Sequence, residues 1–226
     1  QVRSAYVLVN DLPLNGSIMS GLYRPMFANY DSDHNSLLSS ITELGYDDVF
    51  RATSIGISPN FPTLNLHYVQ PIKNSTFRQD EGYVVNFGGH WETLCSSAIF
   101  SYWSTKEKGV NPVERNMMAA SIGARYFEWI FNADVVQVQK KRVQRKDTAL
   151  LFAFQNRFRL WRENYFVANY SQVGTALDLT VGNGEEFVVG LRSFPIGGFD
   201  IELLKIQRTE KKAGLKSRTE IAQAQI

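Results

Sequence analysis

Three histidines (His34, His67 and His90) and one cysteine, Cys95, are the side chains best suited to nucleophilic or metal chemistry. Their spacing offers little of either. A zinc centre draws on paired cysteines or an HExxH helix, so that its ligands converge on one ion. Neither pattern occurs. The stretch "GGHWETLC" sets His90 shortly before Cys95. A Cys–His nucleophile needs those side chains to meet and a third group to orient the ring, whereas a buried cysteine and a strand-edge histidine explain the same residues. "DSDHNSLLSSITE" begins like a calcium loop, with Asp31, Asp33 and Asn35 alternating. Ser36 stands where the sharp-turn glycine belongs, and Glu43 falls one position late for the bidentate ligand. A turn and helix cap is expected there. GxGxxG, P-loop and GxSxG motifs are missing. No catalytic residue, metal or cofactor is assigned, and the chain is expected not to be an enzyme.

The remaining chemistry is cationic. "VQVQKKRVQRKDTALLFAFQNRFRLWREN", residues 136–164, holds eight of the 24 basic residues against two acids, Asp147 and Glu163. Residues 1–115 carry eight basic and eleven acidic side chains, net −3; the rest carry sixteen and eleven, net +5. Lys140, Lys141, Arg142, Arg145 and Lys146 form one cluster. Lys205, Arg208, Lys211, Lys212, Lys216 and Arg218 form another, opposed only by Glu210. Clusters of this kind create a local field that draws polyanions. Arg157, Arg159, Trp161 and Arg162 add flat side chains on which bases stack. Solvated hairpins and a core tryptophan are the competing account.

These side chains need elements to carry them. Ala5–Val9 is expected as a strand closed by a turn around Pro13 and Gly16. A short helix is expected from Ser36 to Leu44, capped by Gly45. "LNLHYVQPI" alternates Leu64, Leu66 and Tyr68 against Asn65, His67 and Val69, a half-buried strand stopped at Pro71. "GYVVNFGGHW" reads as a strand, and "ETLCSSAIFSYWSTKEKG" fits helix or strand. The main helix is expected in "NPVERNMMAASIGARYFEWIFNA". Asn111 would cap it, Pro112 would take its first position, and Glu114 would complement its dipole. Met117, Ile122, Tyr126, Phe127 and Ile130 would share a face. In the next strand Phe152, Phe154, Phe158 and Leu160 alternate with Ala153, Gln155, Arg157 and Arg159. The aromatics are expected toward the core and the arginines toward solvent. Asn183-Gly184 suggests a hairpin turn, with Gly182 beside it. "DIELLKIQ" is expected as the last strand, before a mobile basic tail, 209–226. The class expected is α+β, a mostly antiparallel sheet with one prominent helix, in a single domain over 1–226 in which residues 1–110 are less defined.

With 44% hydrophobic and 13% aromatic residues the chain can bury a core. One cysteine permits no internal disulfide and suits a reducing compartment. No run of 18 apolar residues suggests a membrane helix, and "QVRSAYVLVNDLP" is a poor signal peptide. A cytoplasmic protein without membrane contact is expected.

The segment "ERNMMAASIGARYFEWIFNADVVQVQ" resembles the guide-RNA-binding backbone subunits of type I-F CRISPR surveillance complexes, through Ala124, Arg125, Tyr126 and Trp129 followed by Asp134 to Gln139. "EEFVVGLRSFPIGGFDIELL" and "EKKAGLKSRTEIAQAQI" are similar to that family's glycine-containing loop and its Lys- and Ser-rich segment. The resemblance covers 112–226. It departs from the family in residues 1–110, in ending at Ile226, and in having Ala224 and Gln225 where a lysine is expected. It implies an RRM-like palm and a non-catalytic subunit of an antiviral ribonucleoprotein. Its partners would be single-stranded guide RNA, further copies of itself and other subunits. By position it implies RNA contacts from Arg125, Trp129, Lys216, Ser217, Arg218 and Gln223. Charge alone adds Lys140, Lys141, Arg142 and Arg145, and the basic and aromatic stretch adds Arg157 and Arg159. A structural virion or other assembly protein (capsid, neck or tail component) is the alternative.

Overall fold

A computed structural model describes residues 4–28, 41–42, 44, 49–58, 62–72, 79–92, 95–109, 112–143, 145–174, 183–194, 201–212 and 215–225. Thirteen strands succeed one another: β1 (Ala5–Leu12), β2 (Gly16–Tyr23), β3 (Phe50–Ile57), β4 (Thr63–Gln70), β5 (Asp80–Trp91), β6 (Ser96–Glu107), β7 (Glu114–Tyr126), β8 (Trp129–Arg142), β9 (Arg145–Trp161), β10 (Asn164–Gly174), β11 (Asn183–Ser193), β12 (Ile201–Lys212) and β13 (Leu215–Gln225). Each pairs antiparallel with the next, and the spatial order is the chain order. Among the described residues no pairing joins β1 to β13. The connections at one end of the sheet are mostly short, such as Phe127–Glu128 between β7 and β8. The opposite, loop end carries the long connection between β2 and β3, residues 24–49.

The expected α+β class is therefore corrected to an antiparallel β-meander. Among the described residues only Ile41 and Thr42 are α-helical. The rest of the helix expected over 36–44 lies outside the described residues apart from Leu44, as do its Gly45 cap and the calcium-like positions Asp31, Asp33, Asn35, Ser36 and Glu43. The main expected helix is β7, a two-residue turn and β8, with Phe127 at φ 51° in that turn; its proposed cap, Asn111, lies outside the described residues. Helical spacing misled because the true alternation is built from small residues. Met117, Ala119, Ser121 and Gly123 are buried, while Met118, Ala120, Ile122 and Ala124 are exposed. Pairing with β6 and β8 along the whole length overrides the local helix preference of Ala and Met.

Asn183-Gly184 does not turn. Both residues belong to β11, and Gly184 pairs with Val173 of β10; Gly182 lies outside the described residues. Residues 209–225 contain the end of β12 and the whole of β13, paired from Lys212–Leu215 to Glu202–Gln225. The strands expected at Ala5–Val9, Leu64–Val69 and Gly82–Trp91 are present as β1, β4 and β5, and the ambiguous segment contains β6.

One face of the sheet is covered near the loop end. Val84, Trp103, Met117, Val136, Val138, Ala149 and Leu151 are buried there. Phe27, Ala28, Ile41 and Leu44, from between β2 and β3, pack with them, and Phe27 and Phe50, the first residue of β3, stand edge-on to Trp103 at 6.0 and 5.3 Å between ring centroids. Ser101 Oγ accepts from the Ala28 amide at 3.0 Å, and Asn86 Nδ2 donates to the Met26 carbonyl at 3.0 Å. These bonds satisfy backbone groups that burial would otherwise leave costly.

The alternation expected in the strands is present with its sense reversed. Phe152, Phe154 and Leu160 are exposed, at 39%, 41% and 53%, while Ala153 and Gln155 are buried beneath the covered face. In β4 likewise Leu64, Leu66 and Tyr68 are exposed, and His67 and Val69 are buried.

Candidate functional site: a banded outer face and a charged inner face

The open face of the sheet is organised in rows by the pairing register. At the short-turn end Tyr126 stands opposite Trp129, Trp129 opposite Phe158, and Phe158 opposite Phe166. The Trp129 and Phe158 rings lie 4.8 Å apart, and the Arg162 guanidinium covers the Trp161 ring at 4.6 Å. Above this lies an apolar row running Ile122, Ala133, Phe154, Tyr170, Phe187 across five strands. At the loop end the same face finishes in charge: Glu81, Lys106, Glu114, Lys141 and Lys146 stand opposite one another in succession from β5 to β9. Lys106 Nζ lies 3.1 Å from Glu114 Oε1. Trp129 and Lys141 are the outward residues at the two ends of β8. At about 3.3 Å per residue and a tilt near 40°, the band between them is about 30 Å tall.

The covered face has the opposite chemistry. Arg115, 4% exposed, donates from Nη1 to Asp80 Oδ1 at 2.9 Å and from Nη2 to Glu107 Oε2 at 2.7 Å. Thr105 Oγ1 donates to the same Asp80 oxygen at 3.0 Å and accepts from Trp103 Nε1 at 2.9 Å. Across β11 and β12, Arg208 Nε donates to Glu186 Oε2 at 3.0 Å, and Arg192 Nε lies 2.9 Å from Glu202 Oε1. His67 sits between Tyr23 Oη, 3.3 Å from Nδ1, and Asn86 Nδ2, 3.5 Å from Nε2. Ser101, Ser121, Asp134 and Gln155 are buried on this side too. Burying charge is tolerable where each charge meets a counter-charge or a donor, and the cross-strand pairs supply them.

The residues expected to bind RNA do not assemble. Arg125 and Trp129 flank the β7–β8 turn, where Arg125 Nε donates to the Phe127 carbonyl at 3.5 Å and Trp129 belongs to the exposed aromatic row. Arg157 and Arg159 lie near the same end. Arg159 reaches Glu163 at 3.4 Å and Glu128 at 3.8 Å. Lys140, Lys141, Arg142 and Arg145 lie at the loop end, with Lys140 opposite Asp147 and Arg142 opposite Arg145. Lys216, Ser217 and Arg218 lie at that end of β13, and Gln223 lies further along it, opposite Leu204. The set is divided between both ends of the sheet and, within β8, between both faces. Arg115, Asp80 and Glu107 were not singled out from sequence; their contacts span 35 and eight residues and leave no local pattern. Cys95, expected to be buried, is exposed at the β5–β6 turn, its Sγ 3.5 Å from the Glu92 carbonyl. Among the described residues no His, Cys, Asp and Glu cluster could hold a metal ion.

A long antiparallel meander with an apolar outward face, an aromatic border and an ion-paired inner face has the pattern of a transmembrane β-barrel. No protein-family model and no curated protein matches the chain. Solved structures do match its fold. Outer-membrane expressed OmpT of Vibrio cholerae superimposes with a TM-score of 0.73 at 9% identity, over 99% of this chain and 78% of that one. The loop L8 deletion mutant of that protein gives 0.66 at 8% identity, over 91% and 74%. Its in-vitro folded trimer form gives 0.65 at 7%, over 92% and 74%. The fold is that of outer-membrane β-barrel proteins.

This overturns the resemblance to CRISPR backbone subunits. The Ala124-Arg125-Tyr126 and Trp129 motif is strand and turn, so its helix and the RRM-like palm do not exist. The RNA-binding and virion-assembly functions, the guide-RNA and complex-subunit partners, the antiviral role and the cytoplasmic, membrane-free location fall with it. The physical reason is the exposed apolar band, which suits hydrocarbon. Among the described residues no helix is long and apolar enough to cross a membrane, which says nothing of strands.

Proposed function

We propose that the chain is an integral outer-membrane β-barrel protein that works without catalysis and encloses a polar passage for small hydrophilic solutes. The observation that carries this is the inversion of burial: aromatic and aliphatic side chains face outward while Asp80, Arg115, Glu186 and Arg208 face inward. In water that arrangement loses apolar burial, whereas in a bilayer the band faces acyl chains. The short-turn end and the loop end match the two sides of such a barrel. About eight strands suffice for side chains to fill a barrel, so a sheet of thirteen curves around a wider interior. Phe27, Ala28, Ile41 and Leu44, from between β2 and β3, narrow it. In hydrocarbon the outer edges of β1 and β13 need partners for their backbone groups.

The test is folding into phosphatidylcholine vesicles followed by planar-bilayer recording. Insertion with steady, salt-dependent conductance is expected. A detergent-free soluble monomer would refute the membrane assignment, and an inserted but non-conducting protein would refute the passage.

A further inference from the structure

The charged row at the loop end contains an unfavourable contact. Lys141 stands directly opposite Lys146 on the open face, and the next pair of the β8–β9 hairpin sets Arg142 opposite Arg145. Like charges on directly opposed positions repel and weaken a sheet. The neighbouring acids do not offset both charges. Glu114 is shared between Lys106 at 3.1 Å and Lys141 at 3.8 Å, and Glu81 is held by Lys108. Among the described residues Lys146 has no ion pair. Asp147, the one acid within the hairpin strands nearby, is buried on the other face, opposite Lys140.

We propose that Lys141 and Lys146 clamp the phosphate of an anionic lipid headgroup at the rim of the apolar band. Their place in the fold selects a lipid. Both side chains leave the sheet on the same side as Val135, Leu150 and Phe152, the side that meets acyl chains. They sit about 30 Å above the Trp129 row, just past a hydrocarbon core of about that thickness, where phosphates lie. A phosphate between the two ammonium groups removes their repulsion and accepts charge-assisted hydrogen bonds from both. Lys106, paired with Glu114, supplies a third cation two strands away. The cluster that suggests a nucleic-acid surface in sequence thus meets phosphate of another origin.

This inference rests on the membrane assignment, and the experiment separates the two. The full chain is folded into vesicles of phosphatidylcholine alone or mixed with phosphatidylglycerol, at low and high salt, with inorganic phosphate added to neutral vesicles as a further arm. Quenching of tryptophan fluorescence by brominated acyl chains reports insertion. The transfer of energy from tryptophan to a labelled anionic lipid reports local enrichment. Each lysine near an anionic surface contributes roughly fivefold to association, so Lys141→Gln with Lys146→Gln should lower enrichment about 25-fold, and high salt should reduce it. Both positions are exposed, so folding of the variant is expected to be normal; circular dichroism checks it. Insertion with equal enrichment in wild type and variant overturns the lipid site and spares the membrane assignment. Binding of inorganic phosphate to the wild type but not to the variant in neutral vesicles, with equal lipid enrichment in both proteins, assigns the site to free phosphate and overturns the lipid. No insertion overturns both.

Discussion

Val135 tests the assignment of the faces. It lies midway along β8, six residues from Trp129 and six from Lys141, and is 42% exposed on the outward face. At about 3.3 Å per residue and a tilt near 40°, each boundary is about 15 Å away, which puts Val135 at the midplane. Val135→Arg should therefore cost about 2–4 kcal/mol in a bilayer, a roughly 30- to 900-fold shift in the folding equilibrium. Gln139→Arg, outward on the same strand and next to the charged rim, should cost about 0–1 kcal/mol. If the open face met water, both changes would fall within about 0.5 kcal/mol of wild type. Reversible unfolding in denaturant from phosphatidylcholine vesicles, followed by tryptophan emission, measures both costs. Equal costs for the two variants would refute the banded-face argument, as would a Val135→Arg cost below that of Gln139→Arg.

Arg115→Met should destabilise the fold by about 3–5 kcal/mol, because Asp80 is left charged beneath the covered face; adding Asp80→Asn should recover part of this, measured by the same unfolding titration. In single-tryptophan variants, headgroup-level quenchers should dim Trp129 and Trp161, which are 52% and 65% exposed, and spare Trp103, which is fully buried. Equal quenching of all three would count against the outward aromatic row. Phe27→Ala removes the ring that packs against Trp103 and should cost about 3–5 kcal/mol. It should also raise single-channel conductance by removing a ring that lies over the covered face, and unchanged conductance would place Phe27 outside the passage.

Several elements were legible in the residues alone. The alternation of β4 and β9, the turn after β1 and the stop at Pro71 follow from period-2 patterning and turn chemistry. The β7–β8 hairpin was not legible, since Ala, Ser and Gly on its buried side blunt the contrast between faces, and an Asn-Pro start imitates a helix cap. The Asn183-Gly184 turn failed because a favoured turn pair is overruled when both flanking strands pair through it. The inner ion pairs were invisible, because register alone brings Asp80 to Arg115 and Glu186 to Arg208.

The sequence by itself determined that strands of alternating character carry aromatics on one side and polar groups on the other, and that cations gather around residues 140–146. It could not say which side faces out, because alternation is symmetric under exchange of inside and outside. Only the tertiary structure decided that. By pairing thirteen strands in register, it set the polar groups on the covered face, where Arg115, Arg192 and Arg208 find their carboxylates, and left the aromatics on the open one.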